Sequence, residues 1–118
     1  MNVRIEALAE ATYVTPEGRL DFDAAPGFQE AVERVLSSAG KSSTAVIIDG
    51  TGLEYVSSAG LRAFLLAARS AQRSGIAFAL CALQPAVREV FELSGFNRII
   101  PVHADRASAL AQAQQGRT

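Results

Sequence analysis

Alternating apolar and polar residues near the start of the chain predict two β-strands. The first strand carries charged residues at Arg4 and Glu6 between its apolar positions, which is typical of a strand buried on one face. A second strand is predicted around Tyr13 and Val14. The apolar positions of the first strand are Val3, Ile5 and Ala7.

Two later runs are apolar without alternation and predict strands buried on both faces. They are "TAVIIDG" at residues 44–50 and "IAFALCAL" at residues 76–83. A short strand is expected in "RIIPV" at residues 98–102, where Pro101 favours a sheet edge or a strand end. Pro16 and Gly18 indicate a turn or bulge after the second strand.

Four helices are predicted from spacings of three and four residues. The first begins at Asp23 or just after it and ends before a linker at residues 39–43, the second reaches about Arg73, Pro85 opens the third, and residues 105–115 form the last. The expected inward faces are Phe28, Ala31, Val32, Val35 and Leu36 in the first helix, Leu61, Phe64, Leu65 and Ala68 in the second, and Val87, Val90, Phe91 and Leu93 in the third.

Strands that alternate with helices after an initial strand pair predict an α/β fold. The central sheet should be mostly parallel, with an antiparallel or edge strand at the N-terminus and about four helices. The 118 residues suit one domain, 1–118, in which 112–118 would form a frayed tail. The exposed edge strand would allow weak self-association into a homodimer.

Composition excludes several classes of function. Eleven basic and twelve acidic residues give a net charge of −1, so nucleic acid is not an expected partner. No apolar stretch is long enough for membrane insertion, and no signal segment is visible, which favours a cytoplasmic protein. Cys81 is the one cysteine; it lies in an apolar run and is expected to be buried.

Two adjacent serines stand where an apolar run meets the second helix, in "LEYVSSAGLR". Ser57 and Ser58 could cap that helix, because a serine hydroxyl accepts a bond from a free N–H of the first turn. One of them could be a nucleophile, since "VSSAG" partly matches the Gly-x-Ser-x-Gly elbow of hydrolases. A hydroxyl at a helix start could also be phosphorylated.

The nucleophile alternative lacks a general base. The single histidine, His103, follows the last strand and is expected to be a solvated loop residue.

A lone Gly50-x-Gly52 is not a phosphate-binding loop, and Asp21 and Asp23 are expected to be solvated helix caps. We therefore expect no catalytic residue, no metal site and no cofactor.

Three stretches resemble the STAS domain family, in particular its stand-alone anti-sigma-factor antagonists. "GRLDFDAAPGF" resembles the family's Gly-Glu-Leu-Asp turn and first helix, with Gly18, Leu20 and Asp21 matching. "VIIDGTGLEYVSSAGLRAFLLAAR" resembles the central strand, loop and phospho-acceptor helix, and "LQPAVREVFELSGFNRIIPV" resembles the late strand, helix and glycine segment. The family's acceptor motif commonly reads Asp-Ser-x-Gly-Leu, which maps the acceptor to Ser58 and places Ser57 at the aspartate position.

The resemblance implies a partner-switching protein that is not an enzyme. The unphosphorylated chain would bind an anti-sigma factor that is also a serine kinase, which frees a sigma factor for transcription. Phosphorylation of Ser58, or less readily of Ser57, would dissociate the complex, and a metal-dependent serine phosphatase would reset it. The alternative is a STAS scaffold, or a cytoplasmic subunit of a membrane transporter, that is not phosphorylated; Ser57 in place of aspartate favours this alternative.

The expected docking surface surrounds the acceptor. Gly60 lacks a Cβ and would let a partner's backbone or a phosphate approach. Along the second helix, Leu66 is an apolar residue among arginines, away from the inward face. The predicted partner-binding residues are Asp21, Ser57, Ser58, Gly60, Arg62, Leu66 and Arg69, with Arg73 on the same helix face.

Overall fold

The computed structural model describes residues 1–42 and 44–115, and it has the predicted α/β architecture. The strands are β1 (Asn2–Ala7), β2 (Ala11–Leu20), β3 (Ala45–Asp49), β4 (Leu53–Val56), β5 (Phe78–Cys81) and β6 (Val102–His103). The helices are α1 (Ala25–Ser42), α2 (Ser58–Arg73), α3 (Pro85–Ser94) and α4 (Arg106–Gln115), with a 3₁₀ turn at Phe96–Arg98.

The sheet is mixed and mostly parallel. Its strands lie in the order β1-β2-β3-β5-β6, and β4 pairs with the far end of β2. Among the described strands, only β1 runs antiparallel to its neighbour. The fold class predicted from the sequence is therefore confirmed, including the antiparallel N-terminal pair.

β2 accommodates Pro16 because the β1–β2 ladder uses no N–H at this position. The Leu8 N–H donates to the Ala11 carbonyl at 2.9 Å, so Leu8 and Ala11 form a hydrogen-bonded pair of the antiparallel β1–β2 ladder. Such pairs alternate along a ladder, and Pro16, opposite Val3, therefore occupies a non-hydrogen-bonded pair. The proline nitrogen points away from β1 and costs that ladder no bond.

Gly18 is the bulge that the sequence indicated. Its φ of 106° lies in the region that favours glycine, and the pairing of β2 with β4 shifts register between Gly18 and Arg19. Before the bulge, β2 pairs with β3; after it, β2 pairs with β4. This change of partner carries Leu20 to the start of α2.

The main core lies between the sheet and α1, α2 and α3. Aromatic rings form its centre: Phe28 and Phe64 have centroids 5.1 Å apart, and Phe64 and Phe91 5.3 Å apart. On the other face of the sheet, α4 places Ala109 over a smaller cluster that includes Tyr13, Ile47 and Cys81.

Several expectations from the sequence differ from the structure. Helix α1 continues through Ser42, so most of the expected linker at 39–43 is helical; Ser43 lies outside the described residues, as do 116–118 of the expected frayed tail. Strand β4 was not predicted, and "RIIPV" contributes only Val102 to a strand.

Leu93 is 80% exposed rather than inward. On α2 the fully buried residues are Gly60, Ala63, Phe64, Ala67 and Ala71, while Leu61, Leu65 and Ala68 are half-buried.

Candidate functional site

The two serines have different structural roles. Ser57 is the N-cap of α2, with extended backbone angles (φ −89°, ψ 174°), and Ser58 is the first helical residue. The Ser57 Oγ accepts the Gly60 N–H at 3.1 Å and donates to the Leu20 carbonyl at 3.1 Å. The Ser57 N–H donates to the same carbonyl at 2.9 Å. Ser57 is therefore fully engaged in holding the helix start against the end of β2.

The Ser58 side chain is accessible at the surface of the protein. Its side chain is exposed, and within residues 1–42 and 44–115 its hydroxyl has no hydrogen-bond partner. The helix N-terminus beneath it carries partial positive charge, which stabilises an added anion by about 0.3–1 kcal/mol at exposed positions. Capping and modification were alternatives for the pair; the structure assigns the cap to Ser57 and leaves Ser58 accessible.

Gly60 is glycine because α2 passes close to the end of β2. A Cβ on Gly60 would lie 2.8 Å from the Leu20 carbonyl oxygen and 2.9 Å from both Leu20 Cγ and Val56 Cγ2. The residue is buried, so the space that its missing side chain leaves is filled by this chain itself. The expected role of Gly60, to admit a partner or a phosphate, is corrected by this geometry: Gly60 supports the site from below.

The loop between β2 and α1 lies beside the serine pair, because Leu20 is bonded to Ser57. Asp21 caps the turn into α1: its Oδ1 accepts the Ala24 N–H at 3.0 Å. Next to it, Phe22 is 78% exposed. Sequence reasoning passed over Phe22, although an aromatic residue between two aspartates in a turn has no strand or helix face on which to be buried.

An exposed cation–π pair borders the same region. Arg19 and Tyr55 are opposite each other in the β2–β4 register, with the Arg19 guanidinium carbon 4.1 Å from the centre of the Tyr55 ring. Tyr55 is 39% exposed. An aromatic residue and an arginine held together at the surface are typical of protein-binding sites.

The predicted docking residues of α2 follow Ser58 along one side of the helix. Arg62 and Arg69 are exposed, as is Arg73, and Leu66 is half-buried. In the described part of the chain, neither core cluster includes Leu66. We call Arg62, Leu66, Arg69 and Arg73 the α2 stripe. Asp21, Ser57, Ser58 and Gly60 lie together at the helix start, and the stripe extends from there along α2.

A second polar cluster lies on the α4 side of the sheet. Asp49 accepts bonds from Arg106 Nε at 2.8 Å, from the Thr51 N–H at 3.0 Å and from the Thr51 hydroxyl at 2.6 Å. Burial by itself would raise the pKa of Asp49, but these bonds outweigh it and hold that pKa below its usual value. Arg106 also contacts Glu6 and stacks 4.2 Å from the Tyr13 ring centre. No local sequence pattern predicts this cluster, which anchors α4.

The groups that could support enzyme chemistry are placed away from Ser58. His103 is not a solvated loop residue: it is half-buried in β6, with a buried Nε2 that lacks a hydrogen-bond partner among the described residues. It lines a cavity of about 320 Å³ beside α4, on the other face of the sheet from α2. Cys81 is fully buried as expected, and burial raises the pKa of its thiol to about 11.

Across residues 1–42 and 44–115, no three His, Cys, Asp or Glu side chains come together in a way that could hold a metal ion. None of the helices within those residues has the length and apolar character required to cross a bilayer.

The chain belongs to the STAS domain family, whose model matches residues 2–109. A relative from Bordetella bronchiseptica, named "Putative anti-sigma factor antagonist BtrV", is 46% identical over 71 residues, which are 60% of this chain and 61% of that protein. This chain thus matches about three fifths of the length of that relative.

Solved structures share the fold. The crystal structure of an anti-sigma factor antagonist from Mycobacterium paratuberculosis superposes with a TM-score of 0.84 at 22% identity, over 96% of this chain and 93% of that one. The Bacillus cell fate determinant SpoIIAA in its phosphorylated form superposes with a TM-score of 0.69 at 20% identity, over 94% of this chain and 98% of that one. At these identities the similarity establishes the fold.

Proposed function

We propose that this chain is an anti-sigma-factor antagonist controlled by phosphorylation of Ser58. Unphosphorylated, it binds an anti-sigma factor that is also a serine kinase, and a sigma factor is released for transcription. The kinase then phosphorylates Ser58 and the complex dissociates, and a metal-dependent serine phosphatase restores the binding form. In this cycle the chain is a substrate and a binding protein, not an enzyme.

The proposal rests on one observation, the different environments of the two serines. Ser57 is bonded to Leu20 and Gly60, while the neighbouring Ser58 is exposed at the first position of α2. A kinase can therefore reach the Ser58 hydroxyl without unfolding the helix start. The named relative and the family membership support the same role.

Electrostatics explain how one phosphate releases a partner. A phosphoserine adds a charge of about −1.5 to −2 at neutral pH. At the helix N-terminus this charge is tolerated by the fold, and Arg62, one turn further along α2, lies at the spacing of an ion pair. A partner surface complementary to a neutral hydroxyl would have to desolvate the phosphate charge. Arg62 would also pair with the phosphate and lose its contact with the partner.

The proposed docking surface combines the α2 stripe with Phe22, Asp21 and the Arg19–Tyr55 pair. Phe22 and Leu66 supply apolar contacts, and the arginines favour an acidic surface on the anti-sigma factor. The same arginines speed the encounter of the two proteins, so the association rate should fall as salt concentration rises.

Ser57 at the aspartate position favoured the transporter or scaffold alternative. Serine and aspartate are both good N-caps, and Ser57 makes the cap bond to the Gly60 N–H. The substitution therefore preserves the geometry around Ser58 and gives the alternative no specific support.

The test is mass spectrometry of the protein from its native cells, followed by assays with the purified kinase partner. We expect one phosphate, located on Ser58 by fragmentation of a peptide spanning residues 53–69. Ser58→Ala should abolish phosphorylation and keep the complex together in the presence of ATP, whereas Ser57→Ala, the matched control, should still be phosphorylated. An unmodified Ser58 across growth and stress conditions, or a phosphate on Ser57, contradicts the proposal.

A further inference from the structure

The outer edge of β1 is an open pairing surface. Among the described residues no strand pairs with that edge, and β1 is exposed along most of its length. Because Leu8 and Ala11 form a hydrogen-bonded pair with β2, alternation along the ladder places Val3, Ile5 and Ala7 in non-hydrogen-bonded pairs. The N–H and C=O groups of these residues therefore point outward, where another strand could bind them.

The side chains of β1 differ between its two faces. On the α1 face, Ile5 is 49% exposed and borders an apolar groove of about 310 Å³ that also contacts Ala31 and Val35 of α1. On the α4 face, Arg4 and Glu6 stand one on either side of the Ile5 position, 65% and 52% exposed at the side chain. The strand thus carries opposite charges placed symmetrically about Ile5.

We propose that β1 pairs with β1 of a second copy of this chain, antiparallel and centred on Ile5. In this register Ile5 pairs with the partner's Ile5, and Val3 pairs with the partner's Ala7, so that all outward backbone groups of these residues are bonded. Arg4 then faces the partner's Glu6 and Glu6 faces the partner's Arg4, in non-hydrogen-bonded pairs about 4.5 Å apart at Cα. The apolar Ile5 side chains meet at the two-fold axis.

Charge also selects this register over its neighbours. A shift that pairs Val3 with the partner's Ile5 would place Arg4 opposite the partner's Arg4. The opposite shift, Ile5 with the partner's Ala7, would place Glu6 opposite the partner's Glu6. Like charges directly across a ladder are destabilising. The centred register has complementary charges, and it is also the register that pairs all of Val3, Ile5 and Ala7 with one another. The two-fold symmetry is that of the commonest homodimers.

The dimer is independent of Ser58 phosphorylation, and its test does not involve the kinase. Sedimentation velocity from micromolar to millimolar concentration should show a reversible monomer–dimer equilibrium for the natural chain. Ile5→Pro should remove it, because the Ile5 N–H points outward and is not part of the β1–β2 ladder, so the monomer fold is retained. Circular dichroism checks that fold.

Two charge reversals provide a test that does not depend on the proline variant. Arg4→Glu alone places like charges across the axis, as does Glu6→Arg alone, and each should weaken dimerisation about tenfold or more. An equimolar mixture of the two variants restores opposite charges in both pairs and should form a heterodimer. A natural chain that is monomeric at millimolar concentration overturns the proposal, as does dimerisation that none of these variants alters.

Discussion

The Ser57 hydroxyl joins two elements that are distant in sequence: it donates to the Leu20 carbonyl at the end of β2 and accepts the Gly60 N–H in the first turn of α2. A hydroxyl can do both at once because it has a donor and an acceptor. The exposed Ser58 is thereby held on a fixed helix start. The adjacent serines are consequently separable by mutation.

Replacing Ser57 with alanine should lower the free energy of unfolding by about 1 kcal/mol, because the N-cap bond is lost. Ser58→Ala, the matched change one residue later, should alter it by less than about 0.5 kcal/mol, since that side chain is exposed. Urea denaturation followed by circular dichroism measures both. Equal losses in the two variants would mean that the cap assignment is wrong.

Gly60→Ala should destabilise the fold by about 1–3 kcal/mol, because the added Cβ would overlap Leu20 and Val56 at distances under 3.0 Å. Gly27→Ala on α1 is the control: nothing lies within 4 Å of the added Cβ, and alanine is the better helix former by about 1 kcal/mol. The melting temperature should therefore fall in Gly60→Ala and rise in Gly27→Ala. A neutral Gly60→Ala would contradict the close approach of α2 to β2.

The Asp49–Arg106 contact should make the fold sensitive to acid. The folded-state pKa of Asp49 is lowered, so its contribution to stability is complete above the ordinary carboxyl pKa of about 4 and is lost as the pH falls through the lowered value. Asp49→Asn should reduce stability at neutral pH and flatten its decline below about pH 4. The stability of Asp49→Asn should still decline slightly in acid, because the pKa of Asp105 is also lowered, chiefly by hydrogen bonds from Ser108.

Urea midpoints of the natural chain and of Asp49→Asn, measured from neutral pH into the acid range, check this directly. The two curves should converge as the pH falls. Parallel curves would show that Asp49 has the same pKa in the folded and unfolded chains.

Leu66→Asp should abolish binding of the anti-sigma factor while the chain stays folded. Leu66 is half-buried and belongs to neither core cluster of the described residues, so we expect a cost of only about 1 kcal/mol in stability. Titration calorimetry against the anti-sigma factor measures the affinity. Leu93→Asp is the control, because Leu93 is 80% exposed on α3, outside the proposed surface. Unchanged affinity in Leu66→Asp would exclude the α2 stripe from the interface.

Local patterns were sufficient for most of the fold. The β-branched run of β3 is buried throughout, and Pro85 and Gly95 mark the ends of α3 as expected. Leu93 was misassigned because it follows the buried Phe91 by two residues and therefore lies on a different face of α3. Phe96, in the 3₁₀ turn, packs against Phe91 instead, with ring centroids 6.3 Å apart. Strand β4 was missed because its pairing depends on the bulge at Gly18, which is distant in sequence.

The sequence placed the two serines at the start of α2 but did not predict their different contacts. The bond that Ser57 donates to the Leu20 carbonyl joins residues 37 positions apart. The burial of Gly60 depends on the same contact. Arg106 and Asp49 are 57 residues apart in the sequence, and no local pattern predicts their contact.

The fixed start of α2 has a consequence for the timing of the proposed cycle. Ser57 and Gly60 hold the helix start against Leu20, so we expect a phosphate on Ser58 to change the surface that a partner contacts and not the backbone. In that case no slow structural rearrangement of this chain would delay either half of the proposed cycle. The response time in the cell would follow the ratio of kinase to phosphatase activity, and the phosphorylated fraction would act as a record of that ratio.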